Sequence, residues 1–156
     1  MSKKILILGA GYAGISAAMT LQKKKKRSDD IEITVIEKNS YHTLLTELHE
    51  VAGNRISEDG IIVPLRDIFN YTDVKVIKDE IKNIDFAKNE IISETSVYKY
   101  DYLIISAGSQ PNYYNIPGMQ EYCFSLWSYK DALRIRERII DCFEKALQEK
   151  DHEKRK

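Results

Sequence analysis

The amino-acid sequence predicts an α/β protein: one parallel sheet with helices on one face and a small antiparallel sheet on the other. Three observations predict it. Residues 5–8, Ile-Leu-Ile-Leu, run straight into Gly9-Ala-Gly-Tyr-Ala-Gly14 and then into a helix-forming stretch. A second strand-like run, Ile-Glu-Ile-Thr-Val-Ile-Glu, closes on Glu37, 23 positions past Gly14. Farther on, residues 80–85 and 90–93 flank a four-residue connection, 86–89, as the arms of a hairpin do.

Each element follows from its own pattern. Residues 4–8 are apolar without alternation, the mark of a parallel strand buried on both faces. A helix runs from Ala13 to about Lys25 with Ile15, Ala18 and Leu21 facing inward. Ser28-Asp29-Asp30 makes a turn, and residues 31–37 the second strand. Residues 41–52 read as a helix ended by Gly53-Asn54. Pro64 precedes a short helix over 65–70, and 74–77 is another short strand. Residues 97–102 add a third antiparallel strand, with Tyr98, Tyr100 and Tyr102 alternating as packing residues. Residues 103–106 are apolar, end in Ala107-Gly108, and read by composition as a central strand returning to the parallel sheet. Ser128, with Asp131 three positions on, opens a last helix whose apolar stripe is Ala132, Ile135, Ile139, Phe143 and Leu147. The domain spans 1–147, and the charged tail 148–156, which carries no apolar side chain, is expected to fray.

Composition narrows the function. At 156 residues one domain is expected, with 43% hydrophobic and 31% charged residues, as in an ordinary globular protein. Lys plus Arg and Asp plus Glu both number 24, so no global field draws nucleic acid, and the run Lys23 to Arg27 reads as a solvated helix end. No apolar run reaches the roughly 20 residues of a membrane-spanning helix. The start Met1-Ser2-Lys3-Lys4 enters a strand directly and has no signal-peptide pattern. Cys123 and Cys142 read as two free thiols of a cytoplasmic protein, and no Cys/His spacing fits a metal. His42 and His49, seven apart, lack the further ligands a metal needs.

The glycine motif carries the chemistry. Gly9 permits a tight turn out of the strand, Gly11 leaves room for a pyrophosphate against bare backbone, and Gly14 lets helix and strand approach. The amides of Tyr12, Ala13, Gly14 and Ile15 then face the phosphates, helped by the helix dipole. Glu37 is placed to accept hydrogen bonds from an adenosine ribose, and a carboxylate there favours FAD or NAD over NADP. Lys38 beside it reads as a solvent-facing companion. The turn at Ala107-Gly108 brings a second stretch of bare backbone towards the first. Neither Ser16 nor Ser106 lies in a Gly-x-Ser-x-Gly elbow, and no residue is assigned a catalytic role.

Five segments together carry a resemblance: 9–14 (Gly-Ala-Gly-Tyr-Ala-Gly), 35–43 (Val-Ile-Glu-Lys-Asn-Ser-Tyr-His-Thr), 48–53 (Leu-His-Glu-Val-Ala-Gly), 100–108 (Tyr-Asp-Tyr-Leu-Ile-Ile-Ser-Ala-Gly) and 116–118 (Ile-Pro-Gly). The chain resembles the amino-terminal, FAD-binding part of a type II NADH:quinone oxidoreductase, within the pyridine nucleotide-disulfide reductase flavoproteins. The resemblance implies a Rossmann-like FAD-binding domain of three layers, in truncated form, with non-covalent FAD. By matching positions Gly9, Gly11, Ala13 and Gly14 would hold the pyrophosphate and Glu37 the ribose. The Ile81 backbone would meet the adenine, and Thr46 and Ala107-Gly108 would lie towards the flavin. Residues 39–60 contain no Cys, so the thiol–disulfide chemistry of related reductases is not expected.

Family members run to about twice this length or more. The resemblance therefore implies an amino-terminal piece without the NADH domain, the late flavin-gripping Gly-Asp motif or the quinone site. The whole enzyme would pass hydride from NADH to flavin and electrons to a membrane quinone, as a peripheral protein on the cytoplasmic face. This chain alone is expected to bind FAD without turnover. The alternatives are a stand-alone module that binds FAD or NAD without catalysis, and a small reductase completed by oligomerisation. Without its neighbouring strand, the strand at 103–106 would be an exposed sheet edge that invites self-association.

Overall fold

The computed structural model describes residues 2–26 and 28–150. The elements in chain order are β1 (Lys3–Leu8), α1 (Tyr12–Lys24), β2 (Ile31–Glu37), β3 (Tyr41–Thr43), a 3-10 turn at Leu45–Glu47, α2 (Leu48–Ala52), and a second 3-10 turn at Glu58–Ile61. There follow β4 (Ile62–Pro64), α3 (Leu65–Ile68), β5 (Lys75–Lys78), β6 (Ile81–Asp85), β7 (Glu90–Ser93), β8 (Val97–Lys99), β9 (Tyr102–Ile105), α4 (Met119–Tyr122) and α5 (Tyr129–Gln148).

The chain forms two compact units. The first comprises Met1–His42 and Val63–Ser109, and the second Thr43–Ile62 and Gln110–Lys156.

The first unit is built on a four-stranded parallel sheet of order β5-β2-β1-β9. Alternate residues of its strands face opposite ways, and both faces are buried. Ile7, Ile33 and Val35 pack with Ala18, Leu65 and Phe69 of the helical layer. Leu6 and Ile36 pack with Ile91 and Tyr100 of the second layer. That layer is the antiparallel sheet β6-β7-β8. The three-layer α/β fold expected from the sequence is the fold observed.

In the second unit Leu48, Val51, Ala52, Ile61 and Ala132 form a buried cluster. Helix α5 starts at a capping box: the Asp131 N–H donates to Ser128 Oγ at 3.2 Å, and the Ser128 N–H donates to Asp131 Oδ2 at 2.9 Å. Two orphan amides are thereby satisfied at the helix start.

Several expectations need correction. Residues 41–52 are not one helix. Tyr41–Thr43 is a strand whose partner is β4, and only Leu48–Ala52 is α-helical. The pairing partner lies about twenty residues downstream, where local pattern does not reach. Residues 103–106 are not central, as their composition suggested; the strand runs Tyr102–Ile105 and lies at the edge of the sheet, the position the resemblance implied. The three tyrosines do not share one strand. Tyr100 is buried between β8 and β9, Tyr98 is half-buried, and Tyr102 is 58% exposed on β9. The last helix has the predicted stripe, and its end is uncovered: Ala132 is fully buried, whereas Phe143 is 70% and Leu147 81% exposed. Of the tail, residues 151–156 lie outside the described residues, as does Arg27 in the basic run.

Among the described residues no helix is long and apolar enough to cross a membrane. None of their His, Cys, Asp and Glu side chains form a group of three or more that could hold a metal. Cys123 and Cys142 are exposed free thiols.

Candidate functional site

The first unit gathers its motif residues at the carboxyl ends of the parallel strands. β1 leaves the sheet at Leu8, β2 at Glu37 and β9 at Ile105. The chain steps from β1 to β2 on one side, and β9 pairs with β1 on the other. The turn after β1 therefore sits where the strand order reverses, the place where open α/β sheets take their ligands.

Two glycines are needed to build this turn. Gly9 has φ +98°, a left-handed conformation, and a Cβ there would fall on the Ser106 backbone carbonyl. Gly14 is buried, and a Cβ there would run into the Gly9 carbonyl and stand 2.7 Å from Ser106 Oγ. Gly11 differs. Its φ of −73° suits any residue, and a Cβ placed on it has nothing within 4 Å. The motif thus separates into two glycines that close the fold and one that keeps a space open.

Side chains fix the turn from three directions. Glu37 Oε2 accepts the Ala10 N–H at 2.8 Å, and its Oε1 accepts the Asn39 N–H at 3.1 Å. Ser106 Oγ donates to the carbonyls of Leu8 at 2.9 Å and Gly9 at 3.0 Å. His42, 6% exposed, lies with Nδ1 3.0 Å from the Ala10 carbonyl. The Tyr12 ring meets the His42 ring edge-to-face, with centroids 4.8 Å apart. The stretch 105–108 was expected to approach the turn by its backbone; that the Ser106 hydroxyl and His42 brace it has no sign in the sequence. Ser106 was legible only as the residue before Ala107-Gly108, and His42 carries no periodic signal.

Helix α1 begins at Tyr12 with Gly11 as its N-cap, so no side chain covers its amino end. Of the amides expected to face a ligand, Ile15 is a correction: its N–H donates to the Gly11 carbonyl at 3.0 Å, inside the helix. Tyr12, Ala13 and Gly14 form the first turn of α1, the end at which a helix offers its amides to an anion. The open space at Gly11, the positive helix end and the tethered carboxylate suit the diphosphate and ribose of a dinucleotide. A carboxylate has about four lone-pair positions, so Glu37 keeps acceptor capacity beyond its two backbone partners.

The other candidates fall as follows. Lys38 is exposed directly after Glu37. Lys78 is the register partner of Glu37, and the Asp79 N–H donates to the Glu37 carbonyl at 3.0 Å. Ile81, three residues past Lys78, therefore enters β6 close after the strand end that holds Glu37. The Tyr98 hydroxyl donates to Asp79 Oδ2 at 2.6 Å and, with the Ser93 hydroxyl, holds that carboxyl below the usual carboxylate range; the same bond raises Tyr98. Ala107 and Gly108 are exposed, and Gly108 has φ +77°. Thr46 belongs to the second unit, where its hydroxyl donates to Glu47 Oε1 at 3.3 Å. His49, also there, is exposed on α2 with Nε2 3.0 Å from Glu50 Oε1.

The sequence profile described as pyridine nucleotide-disulphide oxidoreductase matches residues 3–147. The type II NADH:quinone oxidoreductase of Staphylococcus saprophyticus is 33% identical over 141 residues, covering 90% of this chain and 35% of that one. The protein of the same description from Staphylococcus haemolyticus is 34% identical over 151 residues, covering 96% and 37%. Among solved structures, the sulfide:quinone oxidoreductase of Aquifex aeolicus superposes with a TM-score of 0.82 at 22% identity, covering 92% of this chain and 33% of that one; at that identity the likeness is one of fold. The chain thus spans little more than a third of the length of these relatives.

Proposed function

This chain belongs to the pyridine nucleotide-disulphide oxidoreductase family, and from that premise we propose that it anchors the adenosine diphosphate half of FAD. The observation that carries the reading is the open space at Gly11, in front of a helix start that no side chain caps. In this reading the amides of Tyr12, Ala13 and Gly14 bind the diphosphate. Glu37, oriented by the Ala10 and Asn39 amides, accepts from the ribose hydroxyls. The Ile81 backbone borders the adenine, with Lys38 alongside. Ala107-Gly108 serves the flavin end. Bound FAD supplies the ring that accepts hydride from NADH. This chain's residues position it and are assigned no proton transfer.

NADH:quinone oxidoreduction, the activity in the relatives' description, is proposed for a protein of their length, acting at the cytoplasmic membrane face. The 156-residue chain by itself is proposed to bind cofactor without turnover. Titration of the purified chain with FAD tests the reading. Binding quenches flavin fluorescence and raises the melting temperature, and Gly11→Val abolishes both effects while the unliganded variant melts within a few degrees of wild type. A melting shift with NAD and none with FAD favours the nucleotide-binding module instead. No response to either sinks both. NADH consumption by the chain with added quinone would overturn the absence of turnover.

A further inference from the structure

The buried imidazole beneath the glycine turn has a use that its packing alone does not require. His42 lies on β3 and is 6% exposed, and Nδ1 is 3.0 Å from the Ala10 carbonyl. A carbonyl only accepts, so Nδ1 carries the hydrogen and the imidazole donates. The peptide joining Ala10 to Gly11 is trans. In a trans peptide the carbonyl and the following N–H point in opposite directions. Drawing the Ala10 carbonyl inward to His42 therefore turns the Gly11 N–H the opposite way, at a residue where an added Cβ would have nothing within 4 Å.

The preceding peptide is held in the same way. Its N–H, on Ala10, goes to Glu37 Oε2 at 2.8 Å, and its carbonyl, on Gly9, takes the Ser106 hydroxyl at 3.0 Å. Two consecutive peptide planes are thus set by side chains from three separate segments. Tyr12, the first residue of α1, packs its ring against the imidazole at 86° and covers it.

We infer that His42 is a positioning residue for the diphosphate: by donating to the Ala10 carbonyl it presents the Gly11 amide to the phosphate oxygens. The inference rests on the turn being a diphosphate site, as proposed above. It differs from a space-filling role in one respect, since the donor must sit at the Nδ1 position. The amide nitrogen of Asn occupies nearly that position, whereas that of Gln reaches towards Nε2.

Calorimetric binding of ADP and of adenosine to the intact chain tests it. His42→Gln weakens ADP about tenfold, the loss expected for one charge-assisted hydrogen bond, and leaves adenosine within twofold. His42→Asn keeps ADP within about twofold of wild type. Equal ADP affinity in the two variants overturns the inference, as does equal weakening of ADP and adenosine in His42→Gln. A measurement without variants stands beside it: in the wild-type chain the Gly11 amide resonance shifts with ADP and not with adenosine, and a Gly11 signal indifferent to ADP also overturns it. Wild type that binds neither ADP nor FAD sinks the underlying reading and this inference together. Wild type that binds ADP while the Asn and Gln variants match sinks the inference alone.

Discussion

The two units treat their apolar residues differently. In the first, the sheet is covered on both faces, and Ile7, Val35, Ile36 and Ile91 are fully buried. In the second, the start of α5 is covered, with Ala132 fully buried and Ile135 packed on the cluster, whereas Ile139, Phe143 and Leu147 farther along the same stripe are exposed. Tyr114, Tyr122, Phe124 and Trp127 of the second unit are exposed as well. An amphipathic pattern states which residues can share a face. Whether that face is covered depends on what else is present. The first unit has its covering layers within itself; a run of exposed apolar side chains like that of the second is the kind of surface that proteins use for contact.

That contrast can be broken or sharpened by measurement. The largest effect belongs to the first unit's core. Ile7→Ala removes a fully buried side chain and lowers unfolding stability by about 3 kcal/mol, measured by urea denaturation; a loss below about 1 kcal/mol would mean that this core is loosely packed. Next comes the start of α5. Ser128→Ala removes the hydroxyl that accepts from the Asp131 amide and costs about 1 kcal/mol, read from the thermal transition followed by helical circular dichroism.

The same cap has a pH signature. Burial pushes the Asp131 carboxyl up, but the hydroxyls of Ser128 and Ser125 and the amides of Ser128 and Trp127 outweigh it and leave the group below its ordinary value. With the folded value depressed, the cap's contribution is fully present above the ordinary aspartate value of about 4. It is lost as pH falls from there through the folded value. Asp131→Asn removes that acid dependence of α5. The smallest effect is Phe143→Ser. At 70% exposure the ring contributes little, so stability changes by less than about 0.5 kcal/mol. A larger loss would show that something covers this end of the helix in solution.

Legibility in the sequence divided along physical lines. The passage from β1 through the glycine turn and α1 to β2 was readable because each step has a local cause: unbroken apolar residues, glycines at the turn, a helical period, then β-branched residues ending in an acid. The α5 start was readable because Ser128 and Asp131 are three apart. Residues 41–43 were not, since a three-residue strand takes its identity from the partner it pairs with. The exposure of Phe143 and Leu147 was hidden for the reason given above. The site was half legible. Glycine spacing and Glu37 announced it, but His42 meets Ala10 across 32 positions and Ser106 meets Gly9 across 97, and neither separation leaves a local trace.

The longer of those two links bears on how the chain matures. Closing a loop over such a distance carries an entropy cost that must be overcome before the contact forms. A ribosome delivers the glycine turn before Ser106, which braces it and emerges some hundred codons later. A nascent polypeptide halted before that serine carries the motif without its brace, so the cradle is completed only after β9 docks beside β1.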